Sequence, residues 1–274
     1  MPRIIIKYGG NAMINDALRS KIIENIIKLK EQGIQVVLVH GGGPFIADQL
    51  EQAGIESEFI DGHRKTTAKA LMHVEMALKG QVNGRLISLF NQYGSHAVGL
   101  SGKDAAMVIA RERTHTTTDK NGHKLNVSLG HVGDVKKINS QLPDMLLHNN
   151  ITPVITCIAT DEKGNDYNIN ADMMAGHLAG ALKVDHFLVL TDIDGLRHNV
   201  DDPGSHIKEL TVKQAKNMFG SSIRGGMIPK IEACLLALDK GAQKASIING
   251  TKPDLLIDKI IHKQNVGTSI ISKH

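Results

Sequence analysis

Three consecutive isoleucines, Ile4, Ile5 and Ile6, run into Lys7-Tyr8-Gly9-Gly10, and a second apolar run, Gln35–Val39, ends in His40-Gly41-Gly42-Gly43-Pro44. A short apolar run closed by glycines reads as a buried strand and a turn. Between the two, Asp16–Gln32 places Leu18, Ile22, Ile23, Ile26, Ile27 and Leu29 at helical spacing, and Gly33 stops it. After the second turn Pro44 suits a first helical position, and Phe45–Gln52 reads as the next helix. A strand, a glycine turn and a helix, made twice in succession, restrict the chain to an α/β design with a mainly parallel sheet.

The rest of the chain keeps that alternation. Thr67–Tyr93 reads as helix with a break near Gly80 or Gly84, and His96–Leu100 as a strand. Arg111–Val127 is polar and Thr-rich, and its Asn121-Gly122 predicts a hairpin. Thr152–Ala159 reads as one strand, followed by a turn around Gly164-Asn165. Asn170–Leu182, Met227–Asp239 and Pro253–His262 read as helices, and Phe187–Leu190, Ala245–Ile248 and Thr268–Ser272 as strands. The expected fold is a three-layer αβα sandwich with a mainly parallel open sheet, β-hairpin inserts and two lobes. No Pro- or Ser/Gly-rich linker separates the lobes. The division is therefore placed at a hinge near Tyr167–Ala171, giving residues 1–168 and 169–274.

Composition excludes several classes. The net charge is +4, but no Lys/Arg-rich run makes a nucleic-acid surface, and 3% aromatics leave few platforms for stacked bases. Cys157 and Cys234 are the only cysteines and read as core thiols of a reducing compartment. No signal peptide or membrane-length apolar stretch is present, so a cytoplasmic protein is expected. The 14 histidines form no His-Glu-x-x-His or similar ligand set, and no protein-held metal is expected; His115, His123 and His131 read as surface residues. The phosphate-binding Gly-x-x-x-x-Gly-Lys-Ser/Thr, the dinucleotide Gly-x-Gly-x-x-Gly after a strand and the Gly-x-Ser-x-Gly elbow are all missing.

What remains is anion chemistry at strand ends. Glycines there let backbone N–H groups approach an anion, and the following helix start adds partial positive charge. Lys7 ends a buried strand, a costly place for a cation unless an anion or carboxylate meets it. Lys230 repeats the situation after Gly225-Gly226, and Asp172 follows Asn168-Ile169-Asn170 at another helix start, where an N-terminal cap is the structural alternative. Two lysines and an aspartate suit phosphoryl transfer, whose catalysis is mainly positioning and charge neutralisation.

Taken in order, these motifs make the chain resemble the N-acetylglutamate kinases of the amino-acid kinase superfamily. The resemblance covers nearly the whole chain: Lys7–Met13, Val39–Pro44, Asp61-Gly62-His63-Arg64, Gly99–Asp104, Gly130–Gly133, Tyr167–Asp172, Leu190-Thr191-Asp192, Gly225–Lys230 and Val266-Gly267-Thr268. It implies ATP-dependent phosphorylation of the side-chain carboxylate of N-acetylglutamate, a step of arginine biosynthesis. Lys7 and Lys230 would neutralise the transferring phosphoryl group, Asp172 would orient them, and Gly9 and Gly10 would offer N–H donors to phosphates. Gly42 and Gly43 would hold the acyl amino acid, with Arg64 on its α-carboxylate and Asn168 on its amide side. Thr191, Asp192, Gly195, Leu196 and Met227 would hold the nucleotide, with Mg2+ carried mainly by the ATP phosphates. Residues 1–168 would then be the acyl-amino-acid-binding and dimerisation lobe, and residues 169–274 the ATP-binding lobe.

Some positions depart from the family pattern. Lys65-Thr66-Thr67 puts a cation next to Arg64, Cys157-Ile158-Ala159 replaces a Ser/Pro-Ile-Gly, and Gly84-Arg85 follows Val82-Asn83 where a lysine is common. These leave open a sister kinase with another acceptor, such as carrier-bound aminoadipate; a sensing module of the same fold that has lost catalysis is a further alternative, against which intact Lys7, Lys230 and Asp172 argue. Arginine-inhibited members have an N-terminal helix ahead of the first strand, and a Glu and a Gly where Lys259 and Asn265 stand here. No strong arginine feedback and a homodimer are therefore expected. A PII-type signal protein regulates some relatives, and no residue here marks that contact.

Overall fold

The computed structural model describes residues 1–60, 63–118, 123–199 and 201–272. Its strands are β1 (Arg3–Tyr8), β2 (Gln35–His40), β3 (Phe59–Ile60), β4 (His63–Arg64), β5 (Ala97–Ser101), β6 (Val108–Thr118) and β7 (Lys124–Ile138). They continue as β8 (Thr152–Thr156), β9 (Ile158–Thr160), β10 (Asp166–Ile169), β11 (His186–Thr191), β12 (Glu209–Thr211), β13 (Lys244–Asn249) and β14 (Thr268–Ile271). The helices are α1 (Asp16–Glu31), α2 (Gly43–Gln52), α3 (Ala68–Glu75), α4 (Gly84–Gln92), α5 (Gln141–His148), α6 (Ala171–Ala181), α7 (Val212–Asn217), α8 (Met227–Asp239) and α9 (Leu255–Ile260).

Eight strands form one sheet in the order β12-β14-β13-β11-β1-β2-β8-β5, and every neighbouring pair is parallel except β13 and β14. Helices cover both faces, as the alternation of strands and helices predicts. Side chains alternate across β1: Ile4, Ile6 and Tyr8 pack with α1 residues Ile22, Ile23 and Ile26, whereas Ile5 packs with α6 and α8 residues such as Leu178 and Ile231. Each of these side chains is fully buried, worth about 1.5–3 kcal/mol apiece. The same period of two turns Lys7 toward the α6/α8 layer, which decides where the site lies.

The inserts do more than decorate the sheet. Strands β10, β7, β6 and β9 close into a small barrel. The predicted hairpin is real but its strands extend well beyond Arg111–Val127, and its Asn121-Gly122 turn lies outside the described residues. The single strand expected over Thr152–Ala159 is two: β8 belongs to the large sheet, and the chain crosses at Cys157 to β9 in the barrel, where Cys157 O accepts the Ile169 N–H at 2.9 Å. The break expected at Gly80 or Gly84 is absent. Helical structure runs from Ala68 through Gln92, with Met76–Asn83 wound as a π-helix between α3 and α4. The helix absorbs its glycines by changing its winding instead of stopping.

Candidate active site

Lys7, near the end of β1, meets Asp172, the second residue of α6, with Nζ 3.0 Å from Oδ1. Lys230, in the first turn of α8, donates to the other oxygen, Oδ2, at 3.1 Å. Asp172 is not the helix cap: Asn170 is, its Oδ1 accepting from Asp172 N and Met173 N, so the carboxylate is free for both lysines. Burial alone would raise the Asp172 pKa, but the two cations hold it below the usual carboxylate range. Burial and then Lys7 pull the Lys230 pKa down, against Asp172. Two positive charges thus share one negative charge, and the triad keeps a net positive charge. Helix contact sets this arrangement, since Gly176 of α6 lies so close to α8 that a Cβ there would stand 2.6 Å from Ala233 O.

Gly9 and Gly10 follow Lys7 in the turn. A Cβ on Gly9 would lie 2.8 Å from Lys7 Nζ, and Gly10 has φ +74°, in the region that favours glycine. The turn is braced from below: Tyr8 Oη donates to Ala12 O at 2.8 Å, and Arg19 Nη1 to Met13 O at 2.7 Å. Lys7, Gly9, Gly10, Thr191, Asp192, Gly226, Met227 and Lys230 line a cavity of about 330 Å³. It adjoins one of about 530 Å³ lined by Asp192, Gly195, Leu196, Met227 and Asn249, the two sharing Asp192, Ile193, Arg224 and Met227. All five residues predicted to hold the nucleotide therefore line one or both cavities. Gly195 must be glycine, because at φ +136° a Cβ would stand 2.6 Å from Thr268 Oγ1. That same hydroxyl accepts the Leu196 N–H at 2.8 Å and donates to Ile207 O, which gives the Gly267-Thr268 motif its structural task.

Sequence reasoning missed Arg224, which borders both cavities, and Asn249, whose Nδ2 donates to Asp194 Oδ1 at 2.8 Å. The signal was available for Arg224, an arginine directly before Gly225-Gly226. Asn249 carried none beyond its place at the end of a strand.

The residues expected to hold the acceptor are less tightly gathered. Gly42 caps α2 and Gly43 begins it, and a Cβ on Gly41 would lie 3.4 Å from Ala171 Cβ, so this turn touches the start of α6. Gly42 is also demanded by packing, since its Cβ would come within 2.7 Å of Leu78 Cδ2. Arg64 lies in the β3–β4 hairpin, its guanidinium 4.6 Å from the centre of the Phe59 ring and donating to Ser57 Oγ; it has no carboxylate partner among the described residues. Two residues on, Thr66 bridges to Gly130 of β7, and Asn168 of β10 pairs with Val132 of the same strand. Gly42, Gly43, Arg64 and Asn168 share no hydrogen bond with one another among the described residues. Asp61 and Gly62 of the Asp61–Arg64 motif lie outside those residues. Lys65, the suspect cation, is engaged by Glu58 at 2.9 Å.

The sequence profile of the amino acid kinase family matches residues 2–249. The chain belongs to the amino acid kinase family. An acetylglutamate kinase of Methanococcus maripaludis is 40% identical over 99% of this chain and 92% of its own length. That of Methanocaldococcus jannaschii is 39% identical over 97% of this chain and 89% of its own. A solved structure from Streptococcus mutans superposes with a TM-score of 0.78 at 27% identity, covering 99% of both chains. As an amino acid kinase the chain uses ATP. In this amino acid kinase both cysteines are free and buried, as the sequence predicts, and burial pushes the Cys157 thiol up to about 11. Among the described residues no helix is long and apolar enough to cross a membrane.

Proposed function

We propose that this amino acid kinase transfers the γ-phosphoryl group of ATP to the side-chain carboxylate of N-acetyl-L-glutamate, giving the acyl phosphate and ADP. The observation that carries the reading is the Lys7–Asp172–Lys230 triad at the wall of a cavity that continues into a nucleotide-sized one. Near-full-length similarity to kinases named for this acceptor supports its identity and disfavours both the aminoadipate and the sensor alternatives. Lys65, the feature that favours another acceptor, is paired with Glu58.

The nucleophile needs no general base, because a glutamate side chain with a pKa of about 4.3 is already ionised at neutral pH. The problem is repulsion: an anion must approach a phosphoryl group that is itself anionic. Lys7 and Lys230 answer it with two cations, and Asp172 holds both ammonium groups in place while leaving them a net positive charge. Gly9 and Gly10 N–H groups take the phosphate oxygens. Gly42, Gly43, Arg64 and Asn168 take the acceptor, with the Arg64 fork suited to two carboxylate oxygens.

Mg2+ supplies charge neutralisation of the β- and γ-phosphates when bound. The donor set fits an ion carried by the nucleotide: Asp172 is committed to two lysines, and no group of three or more His, Cys, Asp or Glu is placed to hold a metal among the described residues. The division of labour follows the two lobes, acceptor on residues 1–168 and most of the ATP site on 169–274, with Lys7, Gly9 and Gly10 reaching the phosphates from the first lobe. A homodimer in the cytoplasm is the setting the family resemblance implies. Strong arginine feedback is not expected, because Lys259 puts a cation, donating to Val266 O and Ser269 Oγ, where an arginine guanidinium would need an acid.

A hydroxamate assay for acyl phosphate, with MgATP and N-acetylglutamate, glutamate, aspartate or N-acetyl-aminoadipate, tests the reading. Product from N-acetylglutamate above the others is expected. Product from none of them defeats the kinase assignment, and preference for N-acetyl-aminoadipate defeats the acceptor.

A further inference from the structure

The second glycine turn is preceded by His40, which is fully buried and has no part in the phosphoryl clamp. Its Nδ1 lies 2.9 Å from Gly41 O, and its Nε2 2.8 Å from Asn83 Nδ2. The tautomer follows from the partners. A carbonyl oxygen only accepts, so Nδ1 carries the proton; the neutral ring then accepts at Nε2, and Asn83 must present its NH2. The second Asn83 N–H goes to Val154 O at 3.0 Å, which leaves that amide one orientation. Its oxygen sits where a Cβ on Gly99 would stand only 1.9 Å away, so a glycine of β5 makes room for it. Asn83 is the last residue of the π-helical segment, and Lys79 of that segment is the charged group that faces the imidazole. Burial first, with Lys79 assisting, pulls the His40 pKa down to about 4, so the ring stays neutral.

The consequence lies in the Gly41–Gly42 peptide. It is trans, like every described peptide bond, so its C=O and N–H point in opposite directions. A ring that holds Gly41 O on its own side therefore turns the Gly42 N–H to the opposite side, at the N-cap of α2, where the first N–H groups of a helix lack intrahelical partners. We infer that His40, its tautomer fixed by Asn83, is a positioning residue that aims the Gly42 N–H at the acyl amino acid. This rests on the assignment of Gly42 and Gly43 to the acceptor.

Two variants separate the ring's nitrogens. His40→Asn keeps an N–H donor near the Nδ1 position, whereas His40→Gln keeps a polar atom near Nε2 and loses the donor to Gly41 O. Kinetics with varied N-acetylglutamate and varied ATP give the readout. His40→Gln is expected to raise the KM for the acceptor about tenfold, with the ATP KM changed less than about twofold, and His40→Asn to stay within about threefold of the parent. Equal effects of the two variants, or an ATP KM that rises with that of the acceptor, overturn the inference. Nitrogen-15 NMR of the imidazole in the unsubstituted protein needs neither variant to fold nor a substrate. Nδ1 protonated and Nε2 bare from about pH 5.5 to 8 is the expected result, and a protonated Nε2 overturns it. If the unsubstituted enzyme makes no acyl phosphate from N-acetylglutamate, the acceptor assignment fails by itself, while the NMR result still judges the His40–Asn83 arrangement.

Discussion

Two residues before the glycines of the first turn stands Lys7, a cation set against a carboxylate; directly before those of the second stands His40, a neutral imidazole set against a carboxamide. The two turns sit side by side on β1 and β2, and Gly41 N donates to Tyr8 O across them. They look alike in sequence, yet the first presents a side-chain charge and the second presents backbone. Lys7 reaches into the site itself, whereas His40 faces inward and holds a peptide. A strongly charged phosphoryl group and a polar acyl amino acid ask for different things. On the proposed assignment the first is met by net positive charge, which Asp172 only half cancels, and the second by N–H groups held at fixed angles by a neutral buried network that adds no field.

The largest effect that would break this contrast is at the clamp. Lys230→Ala is expected to lower kcat about a thousandfold with little change in folding, read by steady-state kinetics and circular dichroism. Lys7→Ala should lose similar activity and, in addition, about 3 kcal/mol or more of stability in urea unfolding, because Lys7 is the more deeply buried of the two partners of Asp172, with 7% of its side chain exposed against 18% for Lys230. Equal stability of the two variants would show that the buried end of the triad carries no special weight.

Acid should act on the second turn. The unfolded His40 takes a proton below about pH 6.5, whereas in the fold its pKa is about 4. Between those values the unfolded chain binds more protons, so stability rises with pH and is lost as pH falls. The expected contribution is about 1.4 kcal/mol per pH unit, and His40→Asn should remove that much from the slope of urea unfolding free energy against pH.

Smaller is the contrast between glycines. A Cβ on Gly42 meets Leu78 in the core, so Gly42→Ala should cost about 1–3 kcal/mol of stability. A Cβ on Gly9 meets only the end of the Lys7 side chain, so Gly9→Ala should displace that ammonium and lose activity at a smaller cost in stability. Thermal unfolding beside turnover distinguishes the two. The smallest effect is at Lys65, whose ion pair with Glu58 is half exposed; Lys65→Ala should change the KM for N-acetylglutamate by less than about twofold.

Much of this was legible in the residues. The apolar run Ile4–Ile6, the glycine stops and the helical spacing of Asp16–Gln32 are local signals, and they placed the sheet and α1. What escaped depended on distant partners. The π winding of Met76–Asn83 arises where a helix must satisfy β2, β5 and β8 at once, as Asn83 does with His40 and Val154 and Lys79 with Gly99 O. The crossing at Cys157 divides an unbroken apolar run between two sheets, and hydrophobicity looks the same in both. Helix α5, with Pro143 in its first turn, was overlooked, as was α7, although Thr211 and Gln214 form a capping box that the sequence does display. At the site, the clamp was readable because a charge at a strand end demands a partner. The His40–Asn83 pair was not, because neither residue names its partner.

The backbone contact between Gly176 and Ala233 has one more consequence. It lies about one helical turn beyond Asp172 and Lys230 on their respective helices, so the gap that separates those two side chains is set by touching atoms and not by attraction. Steric contact does not weaken as ionic strength rises, whereas the pull of lysines on an incoming nucleotide does. Concentrated salt should therefore slow the filling of this site while leaving its shape intact, as a lock keeps its wards when the key is slow to arrive.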